Sequence, residues 1–228
     1  MAKKKKRRKR SKNGNNAVTI IASLMVIISF LAAVKFLSQA VSEHYDEQKI
    51  VCLDAGHGGS DVGAVSTDGK RREKDDNLRL TLKVRDELER MGIDVVLTRE
   101  DDSDVSLKDR CRIANRKHCD LFIALHRNSS AKGTGIEAWI AKNEKNGEKK
   151  TAKALVSSLS AVGELTDRGV KSGYRNKNAN NYYINANTEM PSILLEVGFI
   201  TSDADNKVFD EQLDEYANTI AKIIYDSL

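Results

Sequence analysis

Two histidines and a glutamate each follow a short apolar run. His57 comes after Ile50 to Leu53 in IVCLDAGHGG, and His126 after Leu121 to Leu125 in DLFIALHRNS. Glu196 comes after Ile193 to Leu195 in SILLEVGF. Imidazoles combined with carboxylates are ligands that a divalent metal such as zinc accepts, and a catalytic zinc site keeps one position open for water. The glycines of AGHGG let the backbone turn sharply beside His57. A lone histidine after a glycine turn is more often a hydrogen-bonding loop residue, but a second one in a matching place favours a ligand pair. An acid at the end of ILL is costly to bury without a purpose. That favours a proton-transfer role for Glu196 over a structural ion pair. GHGGSDVGA lacks the GK[ST] of a phosphate loop, so nucleotide binding is set aside. His44 and His118 read as solvent-facing.

The elements that deliver these residues alternate. Strands are predicted at 50–54, 93–98, 120–126, 135–141, 181–185 (NYYIN) and 192–199. Between them lie helical patterns. Leu80, Val84, Leu88 and Met91 share one face before Gly92, and Leu107, Cys111 and Ala114 follow a Ser106–Asp109 capping pair. Ala152, Leu155, Val156 and Leu159 mark a further helix. Ser202 caps a turn or short helix, and Leu213, Tyr216, Ala217, Ile220 and Ile224 stripe the last one. The fold class expected is α/β: a mixed, mostly parallel sheet of about six strands with helices on both faces. In such sheets ligands bind beyond the carboxyl ends of the strands, which is where His57, His126 and Glu196 fall.

Charge is unevenly spread. Residues 2–12, AKKKKRRKRSK, hold nine Lys and Arg and no acid, and the rest of the chain has 29 basic against 33 acidic residues. The tail alone would fit nucleic acid, but the next segment argues against that partner. AVTIIASLMVIISFLAAV, residues 17–34, carries no charge. As a helix it is roughly 27 Å long, about the depth of a hydrocarbon core. The expected organisation is a basic cytoplasmic tail (1–16), a transmembrane signal anchor (17–37), a polar stalk (38–49) and one catalytic domain (50–228). The positive-inside rule places the tail in the cytoplasm and the domain outside. SQA at 38–40 resembles a cleavage site, so a processed chain starting near Val41 is the alternative. Cys52, Cys111 and Cys119 fit neither a disulfide framework nor a CxxC zinc site and read as buried thiols.

LDAGHGGSDVGA, REKDDNLRL, ALHRNS and MPSILLEVGFITS together resemble the zinc-dependent N-acetylmuramoyl-L-alanine amidases of the type 3 family. The four blocks stand in family order across residues 50–228. The resemblance implies hydrolysis of the amide joining muramic acid to the first alanine of the peptidoglycan stem. It also implies zinc as cofactor, with ligands falling on His57, Glu73 and His126, and a catalytic glutamate at Glu196. Glu73 has no other signal, because KRREKDDN reads as a solvated charge run. Asn128 and Glu137 are weaker candidates, for support of the ligands or the sheet edge. Two departures are noted: Ala55 stands where the family often has proline, and Arg127 where it has a smaller residue, able to alter the cleft. The chain is expected to act as a monomer. A zinc peptidase of the stem and a non-catalytic wall-binding module remain as alternatives.

Overall fold

The computed structural model describes residues 13–175 and 180–228. The chain divides after Gln48 into two units. The first contains one helix, α1 (Asn13–Glu47). Within it, the 20 residues Ile20–Gln39 have a mean hydropathy of 2.5. Large apolar side chains from Val18 to Leu37 are exposed and lie on all sides, unlike the single stripe of a helix docked on a core. The helix runs unbroken through residue 47, so most of the segment expected to be a stalk is helical. That segment has no Gly or Pro, and a helix once nucleated propagates through such residues at little cost. The basic tail at 2–12 lies outside the described residues, as does the side chain of His44.

The second unit is built on six strands: β1 (Ile50–Ala55), β2 (Asp94–Leu97), β3 (Leu121–Asn128), β4 (Ile136–Ile140), β5 (Asp167–Ser172) and β6 (Ser192–Phe199). They form one sheet in the order β2-β1-β3-β6-β4-β5. β2, β1, β3 and β6 are parallel, while β4 runs antiparallel to β6 and parallel to β5. The mixed, mostly parallel sheet expected from sequence is present. Side chains alternate faces along each strand. Odd-numbered Val51, Leu53, Ile123, Leu125, Ile193 and Leu195 enter the larger core cluster. There α2 (Glu73–Arg90), α4 (Glu148–Gly163) and α7 (Leu213–Tyr225) cover the sheet. Even-numbered Cys52, Phe122, Ala124 and Leu194 enter a smaller cluster, with α3 (Leu107–Arg116) and α5 (Tyr183–Asn187) nearby. Burial on both faces is why these strands read as unbroken apolar runs. α6 (Asp203–Glu211) starts at Ser202, whose side chain accepts from the Asp205 amide as a helix cap.

One expected strand needs correction, and one strand was not expected. NYYIN is not a strand: Tyr183–Asn187 is the short helix α5. Its tyrosines favour strands, but Ile184 packs in the smaller cluster and Asn185 Nδ2 donates to the Trp139 carbonyl. Those tertiary contacts override propensity. The strand beside β4 is instead β5, DRGVKS, half-exposed and polar. It is an edge strand, blunted by Arg168 and Lys171 in the usual way, and so it lacks an apolar pattern. The three cysteines are free and buried in the smaller cluster.

Candidate metal centre and cleft

Strand parity places the chemistry. His126 and Glu196 are even-numbered, stand on the face of the smaller cluster and are register partners on β3 and β6. Glu137 is the partner of Glu196 on β4. His57 lies just past β1, which has β2 on one side and β3 on the other. The ends of β1 and β3 therefore border the point where the strand order reverses, the usual ligand crevice of such sheets.

His57 holds a φ of 62°, a left-handed conformation uncommon outside glycine. Arginines clamp the loop that carries it. Arg110 Nη2 donates to the His57 carbonyl at 2.8 Å, and Arg99 Nε donates to that of Ala55 at 2.8 Å. His57 Nδ1 lies 2.8 Å from Asp61 Oδ2. That contact leaves Nε2 to face Glu73 Oε1 at 3.3 Å. Glu73 is the first residue of α2, where the helix dipole favours a carboxylate. Its Oε2 accepts from the Ala64 amide at 2.8 Å, and its Oε1 lies 2.9 Å from His126 Nδ1. Burial opposes ionisation of Glu73, but the hydrogen bonds with His126 and then His57 outweigh it and hold the carboxyl far below its ordinary range. Burial also opposes charge on His57, yet Glu73 and then Asp61 push it up to about 9.

One ligand atom from each of His57, Glu73 and His126 lies within 4.8 Å of the other two. Ligand atoms roughly 2.0–2.2 Å from a tetrahedral zinc ion stand about 3.3–3.6 Å apart. The 3.3 and 2.9 Å separations from Glu73 therefore fit such an ion with small side-chain shifts. All three residues line a cleft of about 840 Å³, together with Glu196, Leu107 and Tyr183. Glu196 differs from every other acid there. Its Oε2 is buried without a hydrogen-bond partner among the described residues. Burial pushes its carboxyl up to about 7, against weaker attraction from His126.

The sequence profile of the Amidase_3 family, described as N-acetylmuramoyl-L-alanine amidase, matches residues 51–228. The chain belongs to this amidase family. It is 36% identical over 178 residues to the uncharacterized protein YqiI of Bacillus subtilis strain 168, covering 76% of this chain and 82% of that one. It is 31% identical over 200 residues to the germination-specific N-acetylmuramoyl-L-alanine amidase of the same organism, covering 79% and 78%. The crystal structure of N-acetylmuramoyl-L-alanine amidase from Clostridium difficile 630 superposes with a TM-score of 0.71 at 32% identity, covering 78% of this chain and 96% of that one.

Not every residue singled out in this amidase sequence joins the site. Glu137 serves the sheet edge rather than the ligands. Its Oε1 accepts from Trp139 Nε1 at 3.0 Å, and its Oε2 accepts from Arg168 Nε at 2.7 Å and Lys171 Nζ at 2.6 Å. Burial opposes its charge, but those bonds hold the carboxyl down to about 2. Arg127, read as able to alter the cleft, is among the residues that line it, but its guanidinium turns elsewhere. It pairs with Asp76, donates to Asn206 Oδ1 at 2.7 Å and lies 4.1 Å from the Phe209 ring centroid. Asn128 supports Ser129 and Arg175 rather than the His–Glu–His set. His118 is exposed. Asp61, Arg99 and Arg110 went unread in the sequence. Asp61 had a usable signal, since HGGSD places a carboxylate four residues after a histidine. The arginines had none.

The amidase cleft leaves no room beside His126. A Cβ added at Gly56 would stand 2.2 Å from His126 Cε1. The ring cannot swing away without leaving Glu73. Gly56→Ala is therefore expected to weaken metal binding by roughly 10–100-fold, the range typical of disturbed ligand support. Competition with a chelating dye measures it, and unchanged affinity would show the ring free to move.

Proposed function

We propose that this chain is a peptidoglycan hydrolase that cuts the amide between N-acetylmuramic acid and the L-alanine of the stem peptide. We also propose that His57, Glu73 and His126 hold a zinc ion and that Glu196 is the general base. The observation that carries this reading is the convergence, at one cleft, of a His–Glu–His set and a buried carboxylate oxygen without a partner among the described residues. Family membership supplies the substrate class. When bound, zinc lowers the pKa of water from about 15.7 to near 7 and polarises an amide carbonyl. Glu196 Oε2 takes the proton of the attacking water and returns it to the alanine nitrogen as the carbon–nitrogen bond breaks. A carboxyl near pH 7 suits both transfers, because it releases and accepts a proton with little driving force lost. Asp61 fixes the ring orientation of His57, as carboxylates behind metal-binding histidines do. The test is digestion of purified peptidoglycan by the full chain in detergent, with mass analysis of the fragments. Free stem peptides that begin at alanine support the reading. Cuts between amino acids would make it a peptidase, and wall binding without release would make it a binding module.

The proposed placement is a single-pass anchor formed by α1, with the amidase unit outside the cytoplasm. The support is the Ile20–Gln39 stretch, long enough at about 1.5 Å per residue to cross a hydrocarbon core, after nine basic residues. Protease added to wall-less cells is expected to remove the amidase unit and spare the tail. A mature chain starting near Val41 would show cleavage instead.

A further inference from the structure

The cleft continues beyond the His–Glu–His set. Asn128, Ser129 and Arg175 line both the 840 Å³ cleft and a second groove of about 460 Å³ beside β4 and β5. That groove is lined by three cations, Arg168, Lys171 and Arg175, and one carboxylate, Glu137. Glu137 is buried and already bonded to Arg168, Lys171 and Trp139. The cationic side chains remain 34%, 35% and 50% exposed. Arg175 joins the two spaces. Its Nη2 donates to Asn128 Oδ1 at 2.6 Å, and the same nitrogen stands 3.9 Å from Glu196 Oε1. Asn128 Oδ1 also accepts from the Ser129 amide at 2.8 Å, so the acceptor that holds the guanidinium is itself fixed. Edge protection accounts for Arg168 and Lys171 on β5. It does not account for Arg175, which lies past the end of β5 and reaches into the cleft.

We propose that this groove binds a carboxylate on the peptide side of the scissile amide, with Arg175 as the residue that reads it and Lys171 and Arg168 beside it. The inference rests on the amidase reading above. Around that bond the glycan side is neutral, while stem peptides carry free carboxylates beyond the alanine. A net positive groove therefore has its counterpart on the peptide. A guanidinium presents paired donors that match a carboxylate, and cations lining a cleft raise the local concentration of an anionic substrate.

The test compares two soluble muramoyl peptides, identical except that the residue after alanine carries a free carboxylate or a carboxamide. The enzyme is the full chain in detergent micelles. The wild type is expected to favour the free acid in kcat/KM by about tenfold or more, the size of a charge-assisted hydrogen bond. In Arg175→Gln the ratio should fall toward one, and Arg175→Lys should restore part of it. Each ratio is taken within one preparation, so a partly folded sample does not distort it. If Arg175→Gln fails to fold, Lys171→Gln serves as the second variant and should also lower the ratio. A ratio near one in the wild type, or one unchanged in the variants, would overturn the proposal. Both peptides cut at equal rates would remove only the carboxylate contact, whereas neither cut at the muramoyl–alanine bond would remove the amidase reading and this inference with it.

Discussion

Glu196→Gln is expected to lower turnover by roughly 10²–10⁴, or about 3–5 kcal/mol of barrier at 1.36 kcal/mol per decade. Glutamine keeps the shape of the side chain but cannot accept a proton, so zinc content and wall binding should persist. The same variant carries a second expectation, on stability. Glu196 in the folded chain titrates at about 7, raised from an ordinary 4.5 by burial. A raised carboxyl stabilises the fold below its unfolded value, and that contribution is lost as pH rises through the folded one. Between pH 5 and pH 8 the metal-free wild type should therefore lose roughly 2–3 kcal/mol more stability than Glu196→Gln. For a unit of this size that is roughly 5–10 °C in Tm. The buried Oε2, without a partner among the described residues, explains the sign: an ionised oxygen there lacks the bonds that water would give it. A variant both inactive and stabilised at pH 8 would mark a residue kept for chemistry at the fold's expense. Near-normal turnover would make Glu196 structural.

His126→Ala is expected to cost at least 10–100-fold in zinc affinity, since even disturbed ligand support costs that much. Glu73→Gln should do the same for a different reason. Glu73 is the shared centre of the set, in contact with both His57 Nε2 and His126 Nδ1, and the amide lacks the charge that a dication needs. Metal content after gel filtration and titration against a chelating dye give the numbers. Full zinc and full activity in His126→Ala would remove this site. Zinc kept in Glu73→Gln but lost in His126→Ala would shift the third ligand elsewhere, with Asp61 the nearest acid behind His57.

The sequence revealed most where one physical signal dominated. Runs such as Leu121–Leu125 and Ile193–Leu195 are buried on both faces, so they announce the central strands and place His126 and Glu196 at their ends. The helix stripes were readable for the same reason, as with Leu213, Tyr216, Ala217, Ile220 and Ile224, all buried on α7. β5 was not readable, because an edge strand of Asp, Arg, Gly, Val, Lys and Ser buries little and carries no period. NYYIN misled because its few residues are placed by tertiary bonds rather than by pattern. Glu73 lay in a charge run whose other members serve elsewhere: Lys70, Arg72 and Asp75 are exposed, while the buried Lys74 pairs with Asp102 and the buried Asp76 with Arg71 and Arg127. Only the meeting of α2 with the ends of β1 and β3 separates it from them, and the family resemblance supplied what composition could not. Arg175 was invisible for a related reason, since its value depends on Asn128 reaching it from a strand 47 residues earlier.

The most direct test of the account is hydrolysis of a muramoyl peptide by the full chain in water enriched in ¹⁸O. The account predicts that the heavy oxygen enters the lactyl carboxyl of muramic acid and that the released peptide carries a free amine on its alanine. Heavy oxygen in a carboxyl within the peptide, with the alanine still joined to the sugar, would contradict it.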